Sequence, residues 1–502
     1  MREVRVRFAP SPTGYVHIGS IRTVLFNLYF ARQNKGKFIL RIEDTDQKRL
    51  VKDALVHLLE VLRDLKIDYD EGPFLSDDGK ILEKGEYGPY IQSERLKSGI
   101  YRKYAEELVE RGFAYYCFCT EERLEEVRKE QRKKGEVTRY DRKCRGLDIK
   151  ESRKRIADGE KFVVRLKAPD NEIIQFEDWT YGRISTPTNS IDDQVLLKSD
   201  GFPTYHLGVV VDDHLMEITH ILRGPEWLSS TPKHILIYKG FGWELPAFCH
   251  VPAVLGKNGR KKLSKRDGDV STRSLLEKGY LPEALCNYVS LIGWSPKSGK
   301  EILSREGFIK EFDIRRIQKS GGVFDFEKLN WMNGVYIREK KLDELFEISK
   351  KYFVSENLVS GKDLENEEFV CWLKKVISLN QKKIKYLSEL PDLSSYFFSD
   401  PEVNLGILLR EKPKEEVLVL IESIEESLGS LEDWNHENLE KALESVVQKF
   451  GIKRGDVFHP LRVVLTGRTA APGIFDLLEF LGKEKSIRRI KKAKRALKLL
   501  SI

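Results

Sequence analysis

The chain has 502 residues, with 87 Lys and Arg against 79 Asp and Glu, a formal net charge of +8. Hydrophobic residues make up 40% and charged residues 33%, which argues against wholesale disorder and leaves enough apolar material for several buried cores. No apolar run nears the roughly 18 residues of a membrane helix, and the opening Met1-Arg2-Glu3-Val4-Arg5 has no secretion signal's apolar stretch, so a cytoplasmic protein is expected.

Residues 4–8 alternate at period two and predict a strand, ended by Pro10, Pro12 and Gly14. Residues 20–34 carry apolar side chains at helical spacing with Ser20 as cap, and 37–42 read as a short buried strand. Strand, crossover helix and strand predict a parallel α/β unit. Amphipathic helices are expected over 50–66 and 95–111, and a charged helix over 120–134 capped by Thr120. Strand and turn signals fill 160–195. A second α/β stretch begins at 205–214 (YHLGVVVDDH), with a helical pattern at 227–239 opened by Trp227. From about residue 325 strand signals thin out and helical periods dominate, so at least two cores are expected.

Two loops carry phosphate-binding chemistry. In the first, between the opening strand and its helix, Gly19 lets a ligand approach the backbone. There a helix start near Ser20 offers N–H donors and a positive dipole end, and His17 can donate to a phosphate oxygen. The second, 256–267 (GKNGRKKLSKRD), holds six Lys and Arg between Lys257 and Arg266. Taken singly, the first reads more simply as an ordinary loop with a capping histidine, and the second as a solvated basic surface. Together they suit phosphoryl chemistry, which needs cations brought to developing charge.

In this order the pair resembles the HIGH and KMSKS signatures of class I aminoacyl-tRNA synthetases, as HIGS at 17–20 and KLSKR at 262–266. Longer strings narrow the likeness to the bacterial glutamyl-tRNA synthetases. They are RFAPSPTG at 7–14, RIEDTD at 41–46, FPTYHL at 202–207, VVDDHLMEITHILRG at 210–224, GYLPEALCNYVSLIGW at 279–294 and VFDFEKLNWMN at 323–333. The likeness covers essentially the whole chain and is weakest beyond about residue 340.

The resemblance implies an α/β Rossmann-type catalytic core with an α+β insertion, followed by mainly α-helical anticodon-binding domains. The expected divisions are 1–110 and 196–240 for the core halves, and 111–195 for an acceptor-end insertion. A stem-contact region at 241–324 and helical anticodon domains at 325–385 and 386–502 complete them. The implied reaction uses ATP with Mg2+ to join L-glutamate to tRNA(Glu) through a glutamyl-adenylate, on a monomer with no membrane partner. The resemblance assigns ATP to His17, Gly19, Ser20, Lys262, Ser264, Lys265 and Arg266, with His17 and Lys265 catalytic. It assigns glutamate to Arg7, Ser11, Glu43, Tyr205 and Arg223. Arg223 would face the γ-carboxylate and Glu43 the α-ammonium; the related glutaminyl enzymes carry a non-basic residue where Arg223 stands. Ser20 departs from the last His of HIGH.

Six cysteines make no disulfide framework in so long a chain. Cys249, Cys286 and Cys371 read as buried free thiols. Cys117, Cys119 and Cys144 have a spacing that suits tetrahedral zinc. Zinc-bearing relatives place a His where Gly146 stands, so the fourth ligand expected is Tyr140, and Zn2+ stays open against a vestigial thiol cluster. In the helical half, Trp331 and Met332 mark the domain junction, and Lys374 and Lys375 lie on a helix suited to anticodon contact. Residues 483–502 hold nine Lys and Arg against one Glu; this helix is expected to pack on the anticodon domain rather than meet a membrane. Three alternatives remain at this point: charging of tRNA(Gln) as well, a paralogue that glutamylates a modified base, and a tRNA-binding protein with an inactive core.

Overall fold

The computed structural model describes residues 2–263 and 270–500. The chain divides into two compact units, Met1–Glu277 with Pro282–Leu329, and Lys278–Leu281 with Asn330–Ile502.

The strands of the first unit are, in chain order, β1 (Arg5–Phe8), β2 (Lys37–Leu40), β3 (Gly72–Leu75), β4 (Ile81–Lys84), β5 (Ala114–Cys117), β6 (Val163–Leu166), β7 (Ile173–Asp178), β8 (Gly182–Pro187), β9 (Val195–Leu197), β10 (His220–Arg223), β11 (Ala247–His250), β12 (Val254–Leu255) and β13 (Gly322–Val323). β1 and β2 run parallel with Arg5 opposite Lys37 and Phe8 opposite Leu40, joined by the helix Ile18–Gln33. That is the expected βαβ unit, and Phe38, Ile39 and Leu40 are buried, as a strand covered on both faces requires.

β10 lies beside β1, where Thr219 N–H donates to Arg5 O. β10 pairs in parallel with β11, placing Arg223 opposite His250. β11 in turn meets β7 with Phe248 opposite Asp178, and β7 and β8 form an antiparallel hairpin. β5, β6 and β9 make a separate antiparallel sheet. Several parallel strands therefore end at one edge, which is where open α/β sheets bind ligands.

Two local readings change and one is made definite. The helix Ile18–Gln33 is capped by His17 rather than Ser20: His17 is extended (φ −108°, ψ 163°) and its Nδ1 accepts from Gly19 N–H. Residues Tyr205–Leu215 are a helix despite the Val209–Val211 run; Leu207, Val209, Val210 and Val211 are all buried, and that packing overrides a β-branched preference. The pattern opened at Trp227 is a 3₁₀ turn, Pro225–Ser230, and the α-helix begins at Thr231.

Beyond β13 the described residues of the second unit are helical, including Leu342–Ser355, Glu367–Asn380, Lys414–Gly429, His436–Phe450, Arg454–Thr466 and Ile474–Leu499. The last breaks at Gly482, whose φ is 75°. Its Ile490, Ala493 and Leu497 are buried. Arg489 is also buried and donates to Leu465 O (2.6 Å), Tyr396 O (2.7 Å) and Asp400 Oδ1 (3.0 Å). Asp400 also pairs with Arg488, Glu425 with Lys494 and Glu422 with Lys498, so neighbouring segments offset part of the terminal charge. Cys249 and Cys286 are buried, but Cys371 is exposed, because it lies on the outer face of the helix Glu367–Asn380. No helix among the described residues is long and apolar enough to cross a membrane.

Candidate active site

At the sheet edge of the first unit lies a cleft of about 1870 Å³, lined by Arg7, Ser11, His17, Gly19, Ser20, Glu43, Tyr205, Arg223 and Lys262. Residues separated by more than 250 positions in the sequence thus share one cavity. Ser264, Lys265 and Arg266 lie outside the described residues.

The loop after β1 brings His17 to the mouth. Its ring is held by Gly19 N–H (3.1 Å) and stands 3.4 Å from Ser20 Oγ. Desolvation, then the nearby charge of Lys262, hold the imidazole below its usual range. Capping takes one ring nitrogen and leaves the other toward Ser20 and the cleft. Lys262 is placed by a bridge to Leu255 on β12, and Ser271 bridges to His17; one flank of the KLSKR segment is thereby fastened to β12 and the other to the His17 loop.

Deeper in, three buried arginines divide into two kinds. Arg7 forms a double contact with Asp213, at 3.0 and 3.3 Å. Arg41 pairs with Asp213 at 2.7 Å and with Glu43 at 3.0 Å. Burial alone would raise Asp213, but Arg41 and Arg7 outweigh it and hold the carboxyl below its usual range. Burial pushes the Glu43 carboxyl up, against the pull of Arg41 and Arg7. A cation arriving beside Glu43 would therefore be welcome.

Arg223, 5% exposed, is of the second kind. It donates from Nε to His250 Nε2 (3.0 Å), from Nη1 to Tyr205 Oη (3.2 Å) and from Nη2 to Thr231 Oγ1 (2.8 Å). Every acceptor is neutral, and among the described residues no carboxylate pairs with it. Tyr205 stacks on Trp227 with centroids 3.8 Å apart, and burial pushes its phenol up to about 12, so it remains a neutral acceptor. Asp213, Arg41 and Thr231 were not singled out from the sequence, and Trp227 only as the start of a helical pattern. Asp213 and Arg41 stood inside quoted strings, but nothing in composition or spacing marked them.

The cleft continues to Cys117, Cys119 and Tyr140. The Sγ atoms of Cys117, Cys119 and Cys144 lie within 4.8 Å of one another, with Cys119 and Cys144 3.6 Å apart. Tyr140 Oη is 3.3 Å from Cys117 Sγ and 3.4 Å from Cys119 Sγ. A tetrahedral ion with bonds of about 2.3 Å to sulfur sets its sulfurs about 3.8 Å apart, so three thiols and one phenol fit the group. In the helical unit, Lys374 is paired with Asp343 at 2.6 Å, Lys375 is exposed, Met332 is buried and Trp331 is 47% exposed.

Residues 3–331 match the family of class I tRNA synthetases (E and Q), catalytic domain. Residues 344–494 match an anticodon binding domain. The glutamate–tRNA ligase of Finegoldia magna is 47% identical over 496 residues, 98% of this chain and 99% of that protein. That of Clostridioides difficile is 45% identical over 488 residues, 97% of this chain and 98% of that protein. Among solved structures, a glutamate tRNA ligase from Elizabethkingia meningosepticum in complex with its amino acid superposes with a TM-score of 0.87. It is 36% identical, and the match covers 99% of this chain and 100% of that one.

Proposed function

The chain belongs to the glutamate–tRNA ligases, class I aminoacyl-tRNA synthetases, and from that premise we propose how its cleft performs the ligation. The reaction attaches L-glutamate to tRNA(Glu) at the expense of ATP. The α-carboxylate of glutamate attacks the α-phosphorus of ATP and pyrophosphate leaves. A hydroxyl of the terminal tRNA ribose then takes the glutamyl group and AMP leaves. Neither step needs a protein nucleophile, so the chain's task is positioning and electrostatic stabilisation.

In this reading His17, Gly19 and Ser20 hold the nucleotide at a loop stiffened by its own capping bond. Lys262 brings positive charge to the nucleotide, a role the resemblance extends to Ser264, Lys265 and Arg266, and Mg2+ would further neutralise the phosphates. Arg7, fixed on Asp213, and Ser11 border the α-carboxylate. Glu43, raised by burial, takes the α-ammonium, which returns a counter-charge to it. Arg223 meets the γ-carboxylate, and Tyr205 closes the pocket. The observation that carries the reading is Arg223: a buried guanidinium among neutral acceptors calls for an anion.

Cys117, Cys119, Cys144 and Tyr140 would hold Zn2+ beside the cleft, tying the insertion (111–195) into one piece. The divisions at 1–110, 196–240, 241–324, 325–385 and 386–502 complete the assignment of core halves, stem-contact and anticodon regions. We further assign the chain as a monomer.

Purified protein given ATP, labelled glutamate and tRNA(Glu) is expected to yield glutamyl-tRNA. The reading fails if glutamate- and tRNA-dependent ATP–pyrophosphate exchange is absent. A parallel reaction with tRNA(Gln) shows whether that tRNA is also a substrate. Elemental analysis of the same preparation, purified without added metal, is expected to give one zinc per chain; far less removes the site.

A further inference from the structure

Arg223 is the centre of a buried polar chain larger than its own contacts with a substrate require. It ends β10, His250 ends β11 in register with it, and Asp178 ends β7 on the next strand across. His250 Nδ1 lies 2.6 Å from Asp178 Oδ2. Asp178 is itself fixed, accepting from Thr180 N–H (3.0 Å), Tyr181 N–H (2.9 Å) and His250 N–H (3.1 Å). On the other side, Arg223 Nη1 and Nη2 lie 3.3 and 3.4 Å from His234 Nδ1. His234 Nε2 is 3.1 Å from His206 Nδ1. Asp178, His250 and His234 are 1%, 0% and 2% exposed.

The chemistry of these contacts leaves one consistent arrangement of protons. A carboxylate accepts from His250, so the His250 proton sits on Nδ1 and Nε2 accepts from Arg223. His234 accepts from Arg223 at Nδ1, so its own proton sits on Nε2 and is donated to His206. Both imidazoles beside Arg223 are then neutral, in keeping with the downward pressure that desolvation puts on each. The Asp178 charge reaches Arg223 only through one imidazole. The guanidinium is oriented at all three nitrogens, yet its charge is not cancelled by direct contact.

We propose that Asp178, His250 and His234 are positioning residues that determine amino-acid specificity. They aim the Arg223 guanidinium while keeping a carboxylate one residue away from it, so that its charge is left for the substrate. A carboxylate placed directly on Arg223 would orient it equally well but would remove its preference for glutamate over the isosteric, neutral glutamine. The inference rests on the reading of Arg223 as the partner of the γ-carboxylate, and extends it to residues that do not touch the substrate.

The test measures ATP–pyrophosphate exchange in full-length protein with tRNA(Glu), for His250→Phe, His250→Gln, Asp178→Asn and, as reference, Arg223→Gln. Loss of one charge-assisted hydrogen bond predicts about a tenfold rise in glutamate KM for His250→Phe. The kcat and the KM for ATP are expected to stay within about threefold of the parent by the same reasoning, since ATP binds elsewhere in the cleft. His250→Gln, which can return an acceptor to Arg223, is expected to recover most of the loss, and Asp178→Asn to fall between. A merely structural role would depress kcat and both KM values together, with no rescue by glutamine, and would overturn the proposal. So would an unchanged glutamate KM in His250→Phe while Arg223→Gln raises it. If Arg223→Gln itself leaves the glutamate KM unchanged, the assignment of Arg223 is what fails, and the proposal falls with it.

Discussion

Two regions of the same sheet edge bury arginines in opposite ways. Around Arg7 and Arg41 the guanidiniums share Asp213, with Glu43 beside them, and charge is balanced before any substrate arrives. Around Arg223 the acceptors are His250, His234, Tyr205 and Thr231, and charge is left unbalanced. A balanced cluster in a low-dielectric interior is stable and builds the floor of a site. An unbalanced cation is costly in isolation and becomes favourable only with an anionic ligand. The first region should therefore matter most for folding, and the second most for the choice of amino acid.

The largest effect is expected where balance is removed. Asp213→Asn leaves Arg7 and Arg41 without their shared carboxylate and should cost about 3–5 kcal/mol of stability, as breaking a buried ion pair does. The shift in the urea midpoint measures it. A loss below about 1 kcal/mol would mean that the pairs are not what holds this floor together.

Next comes pH, which separates the regions without mutation. Burial holds His234 and His250 below their ordinary range and His206 at about 3. Below the unfolded value of about 6.5 the unfolded chain takes up protons that the folded one refuses. Stability is therefore complete above about pH 6.5 and declines as pH falls, by about 1.4 kcal/mol per pH unit for each fully buried histidine. Asp213, held low by Arg41 and Arg7, contributes stability that is present above the unfolded aspartate value and lost only at still lower pH. Unfolding midpoints from pH 7 to 4 should show the histidine slope first. A flat profile down to pH 5 would deny that these imidazoles are buried and neutral.

The smallest effect sharpens the second region alone. Tyr205→Phe keeps the stack on Trp227 but removes one neutral acceptor from Arg223, and should raise the glutamate KM about three- to tenfold. The unfolding midpoint should scarcely move. A larger loss of stability than of affinity would reverse the contrast.

Much of this was legible from the chain, for reasons specific to each part. The βαβ unit announced itself because period-two and helical-period segments alternate with loop breakers in residues 4–42. His17 was marked by its motif, although its capping role was weighed only as an alternative, since a histidine ring is an uncommon cap. The GVVV run is buried helix because burial on every side erases the polar face that periodicity relies on. The Asp178–His250–Arg223 line left no local trace: its members sit 72 and 27 residues apart and meet only through strand register. Cys371 broke the expectation of burial because one apolar-looking position on an amphipathic helix does not fix which face it occupies.

The central claim is that an unbalanced buried cation selects a charged amino acid. The most direct measurement is the ratio of kcat/KM for glutamate to that for glutamine in the parent and in Arg223→Gln, by ATP–pyrophosphate exchange with tRNA(Glu). The account predicts that glutamate loses on the order of 100-fold, while glutamine is unchanged or gains. A fall of the same size for both amino acids, or an unchanged ratio, would contradict it.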